Sequence, residues 1–115
     1  MRNRVQNPDR LKHILKAIEN IERFLKEKQR TDFEADSILF FAVVKNLENI
    51  GEAAYMLTEE FKTEHPQTPW RAIIGMRHIL VHGYYQISPD EAWNTAKNNL
   101  TLLKNQIMLY IKELE

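Results

Sequence analysis

Apolar residues recur along this chain at intervals of three and four, the spacing that places them on one face of an α-helix. Leu11, Ile14, Leu15, Ile18, Ile21 and Leu25 mark a first helix that Asp9 can cap and that runs to about Lys28. Gln29 to Phe33 reads as a polar connection, with Thr31 or Asp32 as the next cap. A second, longer helix is predicted to about Lys62, because Phe40, Val43, Leu47, Ile50, Ala54, Leu57 and Phe61 alternate strictly by three and four, as a bundle seam does. Its other side carries a mixed stripe of Phe41, Val44, Glu48, Gly51 and Tyr55. Phe41 and Val44 do not suit a solvent-facing side, and Gly51 weakens a helix unless something approaches it closely. This helix is therefore expected to be covered on two sides, the second by another subunit or by the rest of a small bundle.

His65-Pro66-Gln67-Thr68-Pro69 is the clearest break in the chain. Thr68 followed by Pro69 predicts a helix start, with Thr at the cap and Pro in the first turn. The third helix is short, Trp70 to about His82, and Gly83 is a natural left-handed stop. Ser88-Pro89 repeats the cap-and-proline arrangement before a last helix whose apolar positions are Trp93, Ala96, Leu100, Leu103, Ile107, Tyr110 and Leu114. Trp70, Trp93, Phe24 and the methionines read as core. No period-2 alternation persists and no linker interrupts the chain, so residues 1–115 are expected to form one all-α domain, an up-down bundle of four main helices.

Composition narrows the setting. There is no cysteine, which removes disulfides and thiolate chemistry and fits a reducing compartment. The longest apolar run, Ile38 to Val44, is far too short to cross a bilayer, and no hydrophobic stretch follows the basic N-terminus. The expected location is cytoplasmic, with no membrane partner. The net charge of zero conceals a division: residues 1–30 hold nine Lys/Arg against four acids, and residues 31–65 hold two against eight. A general nucleic-acid coat does not fit this balance. A localised phosphate-facing patch does, and so do solvated helix faces of opposite sign packed side by side.

The residues best suited to chemistry lie in the third helix and just beyond it, where Arg77, His82 and Tyr84 stand among apolar neighbours. Arg is a permanent planar cation suited to phosphate, and His exchanges protons near neutral pH. On a regular helix Arg77 and His82 stand about 7.5 Å apart along the axis and roughly 140° apart around it. A second copy across a two-fold axis would bring two Arg and two His into one cleft, so the spacing points to a dimeric site. The chemistry that suits the pair is metal-free cleavage of RNA by its own 2′-hydroxyl. His82 would take or relay the proton and Arg77 would stabilise charge on the phosphorane-like transition state. The products would be a 2′,3′-cyclic phosphate and a 5′-hydroxyl, and DNA would be inert. Against this stands the frequency with which an Arg and a His five apart occur by chance as surface or bundle polar residues.

Other constellations are weaker. His78 and His82 have metal-ligand spacing, but position 79 is Ile where a zinc protease motif needs Glu, and His13 and His65 lie elsewhere in the chain. No metal or cofactor is expected, and His78 is read as orienting Arg77, His82 or a bound phosphate. Glu48 and Glu52 lie one turn apart near Gly51 and could serve acid–base or Mg²⁺ chemistry, but pairing with Arg77 or with the basic first helix suits them better. Tyr84, just past the helix stop, could stack an RNA base or simply pack.

Several segments taken in order carry a family resemblance: Asp9-Arg10-Leu11 with its amphipathic helix, Leu47 to Ala54, Pro69-Trp70, Gly75-Met76-Arg77 and His82-Gly83-Tyr84. Over nearly its whole length the chain resembles the HepT-like toxins, a branch of the HEPN superfamily of all-helical ribonucleases. Their Arg-x-x-x-x-His-x-Tyr signature is matched by Arg77, His82 and Tyr84, and His78 fits the polar slot after the arginine. The resemblance implies a HEPN-type bundle that dimerises, an endoribonuclease toxin of a type VII toxin–antitoxin system, and RNA as substrate. It also implies a minimal nucleotidyltransferase (MNT) antitoxin as partner, which in this family can silence the toxin by AMPylation of the motif tyrosine, here Tyr84. Two other readings compete: a catalytically silent HEPN module that binds nucleotide or nucleic acid or docks a nucleotidyltransferase, and a purely structural helical dimer.

Overall fold

The computed structural model describes the backbone of residues 2–83 and 88–115, with the side chains of 7–81 and 88–115. Among these residues the chain forms helices and no strand: α1 (Arg2–Leu25), α2 (Arg30–Ala35), α3 (Ser37–Met56), α4 (Glu59–Glu64), α5 (Trp70–Gly83), α6 (Pro89–Asn94), a π-helical turn (Thr95–Asn99) and α7 (Leu100–Leu114). Helices α1, α3, α5 and α7 are the four main rods of an all-α bundle. No helix among the described residues is long and apolar enough to cross a membrane.

The predicted seams are the core. Leu11, Ile14, Ile18, Ile21 and Leu25 of α1 are buried against Val43, Leu47, Ile50 and Ala54 of α3, and Leu100, Leu103, Ile107 and Tyr110 of α7 complete the cluster. Helix α3 is the central element, with α1 on one side and α5 on the other. Its second cover is thus supplied within the chain. Trp70 is buried and Trp93 half-buried, whereas Met56 and Met108, expected inside, are exposed.

Several boundaries differ from expectation, each for a local reason. Asp9 does not cap α1; it lies inside a helix that already includes Pro8. The neighbouring Asn7 is buried and exchanges two hydrogen bonds with Thr58, its Nδ2 donating to Oγ1 and its Oδ1 accepting from the backbone N–H, both at 3.1 Å. This pairing anchors the turn in which Pro8 forgoes a backbone bond. The long second helix is divided into three. Asp36 caps α3, its carboxylate accepting from the N–H groups of Ile38 and Leu39, and Thr58 caps α4 by accepting from the Phe61 N–H. The apolar seam continues through the break at Thr58, from Leu57 to Phe61, both buried, which is why periodicity alone fused α3 and α4. Thr68 does not cap α5: its hydroxyl is buried in a network with Gln106 and Tyr110 of α7, and the Pro69 carbonyl accepts from Ile73 N–H instead. Ser88 does cap α6 as expected, with Pro89 first in the helix. The last helix is interrupted by the π turn. Helix α5 includes Gly83, which is its last residue and not the stop after His82 that the sequence suggests.

Candidate active site

Arg77 is placed by the crossing of α5 over α3. A Cβ at Gly51 would overlap the Cβ of Arg77 and come within 3.0 Å of the Ile73 carbonyl oxygen. Only glycine allows the two helices to meet this closely, so the close approach expected at Gly51 is by Arg77 itself. The guanidinium then reaches back across the surface of α3. Its Nε donates to Glu52 Oε2, and its carbon lies 5.5 Å from the centroid of the Tyr55 ring. Charge-assisted bonding and the ring face fix the plane of the group from two sides. The Arg77 side chain is 31% exposed, so the stem is seated while the head stays open to an arriving anion. The bond to Glu52 is made through Nε, and a guanidinium carries two further N–H₂ groups in the same plane.

The glutamates part company. Glu52 holds Arg77, whereas Glu48 pairs at 3.3 Å with Lys45 on its own helix and, among the described residues, forms no ion pair with Arg77 or α1. His78 is exposed beside Arg77. The backbone of His82 belongs to α5, a turn and a half beyond Arg77, while its side chain and the whole of Tyr84 lie outside the described residues. Among the described residues no cluster of potential ligands could hold a metal ion. Tyr55 was missed as a neighbour of Arg77. Its place on the stripe with Gly51 and Glu48, three residues after Glu52, was the available signal.

Comparison with known proteins decides the family. The model for "Ribonuclease HepT-like" proteins matches residues 14–109, a span that contains α3, α5 and the motif arginine and histidine. The chain belongs to the HepT-like ribonuclease family. It is accordingly a ribonuclease of the HEPN type with the all-helical bundle of that superfamily. Among its relatives is "Probable ribonuclease HepT" of Thermococcus cleftensis, 40% identical over 85% of this chain and 89% of that protein. Another is "Putative RNase TTE0752" of Caldanaerobacter subterraneus, 36% identical over 84% of this chain and 87% of that one. A third, "Gamma-glutamylcyclotransferase and putative RNase MJ0434" of Methanocaldococcus jannaschii, is 35% identical over 91% of this chain, which spans 47% of that longer protein. No solved structure matches the HepT-like chain.

Proposed function

We propose that this HepT-family chain is a metal-independent endoribonuclease toxin that works as a homodimer, with Arg77 and His82 of both copies facing one cleft. The supporting observation is the seating of Arg77, held by Gly51 below and by Glu52 and Tyr55 beside it, on the helix that also carries His82. An arginine fixed this firmly is preorganised for a charge that develops at one place, which is worth more than a mobile cation. In the reaction His82 takes the proton of the 2′-hydroxyl and the 2′-oxygen bonds to phosphorus. The bond to the 5′-oxygen breaks, the leaving oxygen takes a proton from water, and His82 returns to water the proton it removed. Arg77 bonds the non-bridging oxygens as charge accumulates on them. His78 stands on the same exposed stretch and serves as an RNA contact. From the family resemblance, the partner is an MNT nucleotidyltransferase antitoxin and the point of control is Tyr84. A nucleotide attached there adds negative charge and bulk where the RNA phosphate must lie.

Digestion of RNA by purified wild type and His82→Ala tests the reading. Wild type should leave 2′,3′-cyclic phosphate ends in the presence of a chelator. The variant should lose about 10²-fold or more in rate, the scale of a positioned acid–base group, with its helical content unchanged. Co-expression with the nucleotidyltransferase should add a nucleotide mass to Tyr84. Undiminished cleavage by His82→Ala would end the acid–base assignment, and an adduct on Tyr55 or Tyr110 would end the regulatory one.

A further inference from the structure

We propose that the groove between α1 and α3 is a track for the sugar–phosphate backbone of single-stranded RNA, leading the strand to Arg77; the inference rests on the ribonuclease reading above. The two helices run antiparallel, with Asn7 bonded to Thr58 at one end and Asn20 Nδ2 bonded to Asn46 Oδ1 at the other. That register sets Lys16 opposite Asn49, and His13 opposite Glu52 and Ala53. Arg10, His13 and Lys16 form one wall of the groove, and Asn49, Glu52 and Ala53 line the other. On α3, Gly51 faces α5 and Ala53 faces α1, so Glu52 stands on the ridge between them. The same carboxylate that holds Arg77 therefore borders the groove, and the α1 cations and the motif arginine lie along one open face.

The charge arrangement favours an anion. None of Arg10, His13 and Lys16 is in an ion pair with a described residue, although α3 and its neighbours are rich in acids. The one carboxylate in the groove is occupied by Arg77. The Nε of Arg10 is buried and without an acceptor among the described residues, so the carboxylates of the neighbouring helices do not neutralise this side chain there. Asn20 and Asn46 are bonded at both amide atoms, Asn46 Nδ2 donating to the Ala42 carbonyl and Asn20 Oδ1 accepting from Arg23, so protein partners hold them at the far end. Arg10 to Lys16 spans about 9 Å along α1, or two to three nucleotides of a stacked strand at roughly 3.4 Å each. The groove holds about 310 Å³, near the lower end of the roughly 300–1,000 Å³ usual for small-molecule sites; it admits one strand and not a duplex.

The test uses a fluorescent, uncleavable 2′-O-methyl RNA of about twelve nucleotides, titrated into wild type, the double variant His13→Ala/Lys16→Glu and the α7 control Lys112→Glu. All three positions are exposed, so the fold is retained. The double variant should bind about tenfold more weakly, and its slope of log Kd against log salt should be shallower by roughly 0.7 for each phosphate that the protein ceases to neutralise. In cleavage assays its KM should rise with kcat unchanged, and the control should match wild type. If wild type cleaves RNA and the double variant keeps its affinity and salt slope, the groove proposal is overturned and the ribonuclease stands. If wild type binds through the groove yet cuts nothing, the catalytic reading falls and the track remains. Absence of both binding and cleavage overturns both.

Discussion

At Gly51 two opposing effects can be weighed. Replacing a mid-helix glycine by alanine ordinarily stabilises a helix by about 1 kcal/mol. Here the added methyl would overlap Arg77 Cβ and press on the Ile73 carbonyl and the Arg77 Cα at 3.0 and 3.1 Å, and backbone atoms cannot swing aside. Overpacking of this kind destabilises by roughly 1–3 kcal/mol, so the steric effect wins. Gly51→Ala should lower the melting temperature by several degrees, about 4–8 °C per kcal/mol in a small domain. It should also reduce RNA cleavage by more than tenfold, because α5 must move away and Arg77 leaves Glu52. A more stable variant with full activity would show that the helix crossing has room to spare and that Arg77 does not depend on it. In the proposed mechanism Gly51 and Glu52 would thus act through Arg77, one setting its depth and the other its plane.

At the level of helices, small polar residues decide the boundaries. Asp36 accepts two backbone N–H bonds, from Ile38 and Leu39 at 3.1 Å each, and separates α2 from α3. The turn lets Phe33 fold fully into the core against Phe40 and Trp93. Asp36→Ala should cost about 0.5–2 kcal/mol in chemical denaturation, and Asp36→Asn should retain most of that, since either side chain can cap. Equal stability of the Ala variant would mean that Phe33 packing alone sets the junction. The apolar seams of α1, α3 and α7 were legible because core burial follows a period that residue spacing displays directly. The break at Thr58 was not, since the seam passes through it in phase, and neither was the one at Asp36, because each is set by a single capping side chain. Thr68 was misread for a related reason: its hydroxyl found partners on α7, 38 and 42 residues away, which no local pattern reports. The π turn left no mark either, because Ala96 and Leu100 keep a four-residue spacing across it. At the site, the need for close approach at Gly51 could be read from the sequence. That the approaching residue was Arg77 required the packing of two helices.

The whole molecule has an open face. On α3 the solvent edge between α1 and α5 carries Phe41, Lys45, Glu48 and Glu52, and Phe41 is 53% exposed. Beside it Phe41, Val44, Leu80 and Val81 line a crevice between α3 and α5, with Ile79 exposed nearby. Arg77 lies one turn from Val81 on the same face of α5, so the proposed dimer would bury this crevice and bring the two motif helices together. The α1–α3 groove, on the other flank of α3, would stay open to RNA. A two-fold contact counts every side chain twice. Burying a whole Phe contributes about 1.5–3 kcal/mol; since Phe41 is already about half covered in the protomer, its two copies together would contribute about 1.5–3 kcal/mol, a factor of roughly 10–10² in the dimer Kd. Phe41→Glu, which also places two like charges in the contact, should convert a wild-type dimer to a monomer by sedimentation at micromolar concentration. Its helical content should be intact, because the side chain contributes little to the protomer core. If the site needs residues from both copies, cleavage should fall with dimerisation and recover as protein concentration is raised toward the new Kd. A monomeric variant that cuts RNA at the wild-type rate at every concentration would establish that one copy of Arg77 and His82 suffices.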